Sequence, residues 1–115
     1  MTFRSLIVVG FVGTCLAKGL AADPASLPAA APRKIDFVRD IQPLFRDRCF
    51  SCHDGAKQRG GLRLDLRSAA LKGGESFAPV IVPGKSADSP IVRLVAGLEE
   101  GMLMPPEGPR LSAEQ

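Results

Sequence analysis

Apolar positions fall into short groups separated by Gly- and Pro-rich stretches, after an apolar N-terminal run. Between Asp36 and Arg48, the residues Phe37, Ile41, Leu44 and Phe45 recur at helical spacing. Asp36 or Asp40 is positioned to cap this helix. Pro43 is tolerated only in a first turn or at a kink, so the regular part is predicted from about residue 41 into Cys49. Asp54 to Gly61 reads as a loop closed by Gly60-Gly61. Leu62, Leu64 and Leu66 alternate with Arg63 and Asp65, which predicts a short extended piece. Asp65 or Leu66 then opens a brief helix, Arg67 to Lys72, stopped by Gly73-Gly74. Pro79 to Gly84 is predicted to be extended and to end in a turn. Ser89-Pro90 reads as an N-cap followed by Pro at the first helical position. The helix it starts turns Ile91, Leu94 and Val95 inward and ends before Gly97. A Gly/Pro loop, Gly101 to Pro109, follows, and Ser112-Ala-Glu-Gln115 has the form of a capping box. There is no internal repeat.

The first 22 residues form a separate unit. A basic start at Arg4, an apolar run from Leu6 to Ala17 and the small-residue stretch Gly19-Leu-Ala-Ala22 match a secretory signal peptide. The run is shorter than the roughly 20 apolar residues a membrane span needs. Cleavage is expected after Ala21 or Ala22. An uncleaved anchor is the alternative, and lipidation at Cys15 fits poorly because Thr14 is not the small residue that signal wants. Residues 23–34 are Pro/Ala-rich and read as a linker. The remaining domain is predicted over residues 35–115.

Composition narrows the function. The chain of 115 residues has 15 Lys+Arg, 12 Asp+Glu and one His. Without Arg4 and Lys18 the mature chain is nearly neutral, at +1, and no basic run is interleaved with aromatics, so nucleic acid is not a predicted partner. A mature chain of 93 residues with this share of Gly and Pro is marginal for a hydrophobic core alone. It calls for a staple: a disulfide, a metal or a cofactor.

Cys49-Phe50-Ser51-Cys52-His53 is C-x-x-C-H, the attachment motif of c-type haem. The spacing places two thiols within reach of two vinyl groups on one porphyrin edge, and the adjacent imidazole reaches the iron from the proximal side. The competing readings are a C-x-x-C dithiol that happens to precede a His, and a zinc site. Zinc needs a further ligand pair, and no other Cys or His follows Cys15. A thioredoxin-like dithiol needs a βαβ context that this pattern lacks. Export favours covalent haem, because c-type attachment takes place outside the cytoplasm. Two histidine ligands are excluded, since His53 is the only His. The sixth position is left to Met102, Met104, a Lys, water or an open site. Both methionines lie in the loop Gly101 to Pro106, off any amphipathic face, and Pro105-Pro106 stiffens the backbone just after Met104. Their other role would be simple apolar packing.

Several stretches in order carry a resemblance: Asp36 to Phe45, Arg48 to His53, Gly60-Gly-Leu-Arg-Leu-Asp65, Ala70 to Gly74, Ile81 to Lys85 and Met104-Pro-Pro106. Over about residues 35–115 the chain resembles the planctomycete-type cytochrome c domain. The resemblance implies a small all-α cytochrome c-like fold, with short helices and long Gly/Pro loops around one covalently bound haem c. It implies Cys49 and Cys52 as thioether sites, His53 as proximal ligand and Met104 as distal ligand. It implies an exported, periplasmic or cell-envelope electron carrier rather than an enzyme. Its expected partners are redox proteins and the cytochrome c maturation machinery, with no membrane span in the mature chain. Such domains commonly stand at the N-terminus of larger exported proteins. The family ends on a further helix, often bearing a Trp, that packs on the first helix. This sequence stops at Gln115, where that helix starts, and so reads as a truncated product or fragment. The functional alternatives are a haem-based ligand binder with an open sixth site and a non-haem dithiol protein.

Overall fold

The computed structural model describes residues 27–115. The predicted signal peptide, residues 1–22, and the first part of the predicted linker lie outside the described residues. Three short α-helices carry the fold: α1, Gln42–Arg48; α2, Arg67–Lys72; and α3, Pro90–Ala96. No strand occurs among the described residues; two isolated bridges, His53 with Gln58 and Glu99 with Met102, tie loops together. The all-α expectation holds.

A π-helical turn, Phe37–Ile41, runs directly into α1. The Asp36 carboxylate accepts from the Arg39 N–H at 2.8 Å, while the Asp40 carboxylate accepts from the Asp36 N–H at 2.9 Å. The two candidate caps therefore work together rather than as alternatives, and satisfy two donors that a helix start leaves free. Hydrogen bonds from Arg39 and then Arg33 hold the Asp40 carboxyl well below the usual carboxylate range. Pro43 sits in the first turn of α1, where its missing N–H is harmless. Phe37 packs edge-to-face on Phe45, with ring centroids 6.1 Å apart.

Phe45, Leu64 and Ala70 form the closed core, with Ile41, Phe50, Leu62, Ile81 and Ile91 packed around it. The expected leucine alternation holds only in part. Leu62 and Leu64 face inward, but Leu66 is 47 % exposed. No neighbouring strand fixes a two-residue period here, and the backbone turns into α2. Asp65 does not cap α2; the residue at the cap position is Leu66, whose side chain makes no cap. Asp65 instead pairs with Arg63 at 2.7 and 3.0 Å, and that hydrogen bonding lowers its pKa. Ser89 stands at the cap position of α3, yet its hydroxyl does not cap the helix. It is buried, accepts from the Val82 N–H at 2.9 Å and lies 2.9 Å from the Lys85 carbonyl, so it fastens the 79–85 segment to the start of α3. Gly97 ends α3 in the left-handed region, φ 73°, as a residue there favours. At Ser112–Gln115 the capping-box bonds form in both directions, at 3.0 and 3.3 Å.

Gly73 closes α2 at φ +90°, and a Cβ there would stand 2.3 Å from the Phe77 carbonyl oxygen and 2.9 Å from Ala78 Cα. Gly84 also has positive φ, +76°, but a Cβ there would meet nothing within 4 Å. Gly84→Ala meets the strain of positive φ alone, about 1–2 kcal/mol. Gly73, at φ 90° and ψ −166°, lies in a region that is essentially glycine's own, and Gly73→Ala adds an overpacking cost of about 1–3 kcal/mol. Denaturant unfolding of the haem-loaded variants should rank Gly73→Ala clearly below Gly84→Ala. Equal midpoints would contradict the close approach of α2 to the 77–80 backbone.

Candidate haem site

The end of α1 builds the motif. Cys49 is its C-cap, and its N–H donates to the Phe45 carbonyl at 2.8 Å. The chain then turns tightly: the Cys49 carbonyl accepts from both the Cys52 and the His53 N–H, at 3.1 and 2.9 Å. Asp54 folds the next residues into a turn, its carboxylate accepting from the Ala56 and Lys57 N–H groups at 2.9 and 2.8 Å. The returning segment is pinned to the motif. The Arg59 N–H donates to the Cys52 carbonyl at 3.1 Å, and the Leu64 N–H donates to the His53 carbonyl at 2.8 Å.

Opposite elements are fixed equally locally. The Met104 N–H donates to the Leu94 carbonyl at 3.2 Å, and the Met102 N–H donates to the Glu99 carbonyl at 3.2 Å. Arg93 in α3 pairs with Glu99, so the methionine loop is bound to α3 at both ends. The Met104–Pro105 peptide is cis. On a further side, the Glu75 N–H donates to the Gly60 carbonyl at 2.8 Å, which brings the 73–77 segment against the glycine turn.

These segments enclose a cleft with two lobes, of about 270 and 360 Å³. Cys52, His53, Arg59, Leu62, Val80, Leu94, Met104 and Pro106 line both lobes. Cys49 lines the larger lobe, and Met102 and Phe77 line the smaller. The four residues predicted as the site therefore converge, although about 50 positions separate the motif from Met104. Met102 reaches the cleft too, but it is 38 % exposed whereas Met104 is half-buried.

The donor chemistry fits a haem. Both thiols are free. Burial, and then the neighbouring Cys52, push the Cys49 thiol up to about 11. The His53 Nδ1 is the buried side-chain nitrogen left without a hydrogen-bond partner among the described residues. Such an atom needs an explanation beyond packing, and His53 lines the same cleft as Cys49, Cys52 and Met104, a donor set that suits a haem. No cluster of three or more His, Cys, Asp or Glu able to hold a bare metal ion occurs among the described residues.

In a family comparison, residues 49–108, just over half of the chain, match Planctomycete cytochrome C. The chain belongs to that family. This cytochrome c domain thus carries the family's C-x-x-C-H motif at Cys49, Cys52 and His53. The match begins at Cys49, so it takes in the cleft lining except Arg48, together with α2 and α3, but leaves out α1. No curated protein and no solved structure matches the chain. The sequence did not single out Arg59, Phe77, Val80 or Leu94 as cytochrome site residues. Leu94 read as an inward helix position and Val80 as part of an extended segment, and the packing of the loops places both against the cleft.

Proposed function

We propose that this cytochrome c domain is an exported electron carrier with one haem c, attached at Cys49 and Cys52 and ligated by His53 and Met104. The observation that carries this reading is the convergence of Cys52, His53 and Met104 on both lobes of one apolar cleft. When bound, the haem supplies a one-electron ferric–ferrous couple. The protein's part is to hold it and set its electronics. Two thioethers prevent loss, and Leu62, Val80 and Leu94 exclude water. The Met104 sulfur, a soft donor, favours the ferrous state and raises the potential. Export to the periplasm or cell envelope is supported by the signal-like residues 1–22 and by the chemistry of c-type assembly. Redox proteins and the maturation machinery are its partners. No helix among the described residues is long and apolar enough to cross a membrane.

Met104→Ala separates the carrier from a ligand binder. The unmodified ferric protein should show the weak near-infrared sulfur–iron band, and its ferrous form should resist CO. Met104→Ala should lose the band, bind CO readily and lower the midpoint potential by on the order of a tenth of the ~0.8 V that axial ligands span. Met102→Ala should change none of these. Fast CO binding to unmodified protein would support the open-site reading, and the reverse pattern of variants would move the ligand to Met102.

A further inference from the structure

Charged groups lining the cleft are few: Arg48, Lys57, Arg59 and Glu107. Only Arg59 lines both lobes. It opens the 3₁₀ turn Arg59–Gly61, which is fastened to the motif through the Arg59 N–H to the Cys52 carbonyl. Its guanidinium, like those of Arg46, Arg48, Arg67 and Arg110, pairs with no carboxylate among the described residues, whereas Arg33, Arg39, Arg63 and Arg93 do; of the unpaired set, Arg59 alone reaches both lobes. Arg48 and Lys57 line the larger lobe alone, beside the one acid, Glu107. Arg48 also reaches the Pro109 carbonyl, at 3.5 Å.

A haem would bring two propionate carboxylates to this cleft, whose smaller lobe is mostly apolar. A carboxylate drawn out of water needs a charged hydrogen-bonding partner, and a guanidinium meets it with two parallel N–H donors. We propose that Arg59 is the direct partner of a haem propionate. The inference rests on the haem reading above and adds a cofactor-binding residue outside the C-x-x-C-H motif and the methionine loop. Arg59 then ties the motif's return turn to the cofactor's acidic groups. Its positive charge beside the porphyrin also favours the reduced iron.

The test uses the haem-loaded full chain, with resonance Raman of the propionate-bending band and equilibrium redox titration. Arg59→Gln should shift the bending band and lower the midpoint potential. Arg59→Lys should recover most of the potential but not the band position, because an ammonium cannot make the paired contact. Arg67→Gln removes the same charge from an exposed residue outside the cleft and should leave the band in place. An Arg59→Gln protein whose band is unmoved and whose potential matches that of Arg67→Gln would overturn the assignment while leaving the haem reading intact. A band moved by Arg48→Gln or Lys57→Gln, but not by Arg59→Gln, would overturn it too. A chain that takes up no covalent haem would overturn both.

Discussion

Haem-free protein, made without the maturation machinery, is expected to show no cooperative thermal transition. Among the described residues the buried hydrophobics are Phe45, Leu64, Ala70, Val80 and Leu94. Of these, Leu64, Val80 and Leu94 also line the cleft, so part of this small core borders the space a cofactor would take. Only Phe45, Leu64 and Ala70 pack into one buried cluster. Burying a large apolar side chain stabilises by about 1.5–3 kcal/mol, while each ordered residue costs about 1–2 kcal/mol in backbone entropy. The three short helices are well below the length at which helices hold in isolation. A haem filling the cleft would cover Leu62, Val80 and Leu94, and it binds the folded state alone, so its binding energy becomes folding energy. Circular dichroism melts of the two forms check this: the loaded protein should melt sharply, the haem-free chain should drift. A sharp transition in the haem-free chain would show that the loops pack without the cofactor.

Substituting both motif cysteines should have an equally large effect. In Cys49→Ser/Cys52→Ser, acid–acetone extraction should remove all of the haem, whereas unmodified protein should keep all of it. A thiol adds across a vinyl double bond, forming the S–C bond and delivering its proton to the other vinyl carbon; a serine hydroxyl does not. Each single variant should keep its haem through the remaining thioether. The Cys49 thiol, pushed up to about 11 in the folded cleft, is a poor nucleophile there. In the open chain it returns to an ordinary value of about 8.5. Haem that resists extraction from the double variant would remove the cysteines from the account.

Much of this was readable in the residues, for identifiable reasons. Gly73 and Gly97 stop α2 and α3 where the glycine signals place them, and Pro90 starts α3 at its first position. Helix ends are local events, set by backbone freedom within one turn. The uses of Ser89 and Asp65 were not legible, because their partners, Val82 and Lys85 for one and Arg63 for the other, compete with the cap and win only once the loops fold. Leu66 escapes its alternation for a similar reason, since no adjoining strand holds it. The site divides along the same line. Cys49, Cys52 and His53 announce themselves by spacing. Val80 and Leu94 do not, because they join the cleft through contacts between distant segments, and Arg59 does not, because its place depends on the turn that folds it back onto Cys52. Met104 lies between these cases: its loop was visible, but its place in both lobes depends on the bond from its N–H to the Leu94 carbonyl.

The most direct measurement is a pyridine haemochrome spectrum of full-length protein produced with the cytochrome c maturation machinery. Covalent attachment through Cys49 and Cys52 converts both vinyl groups to saturated thioethers, so the reduced spectrum should be that of a haem c with two thioether bonds, at one haem per chain. A spectrum retaining vinyl groups, or the absence of any haem, would contradict the account.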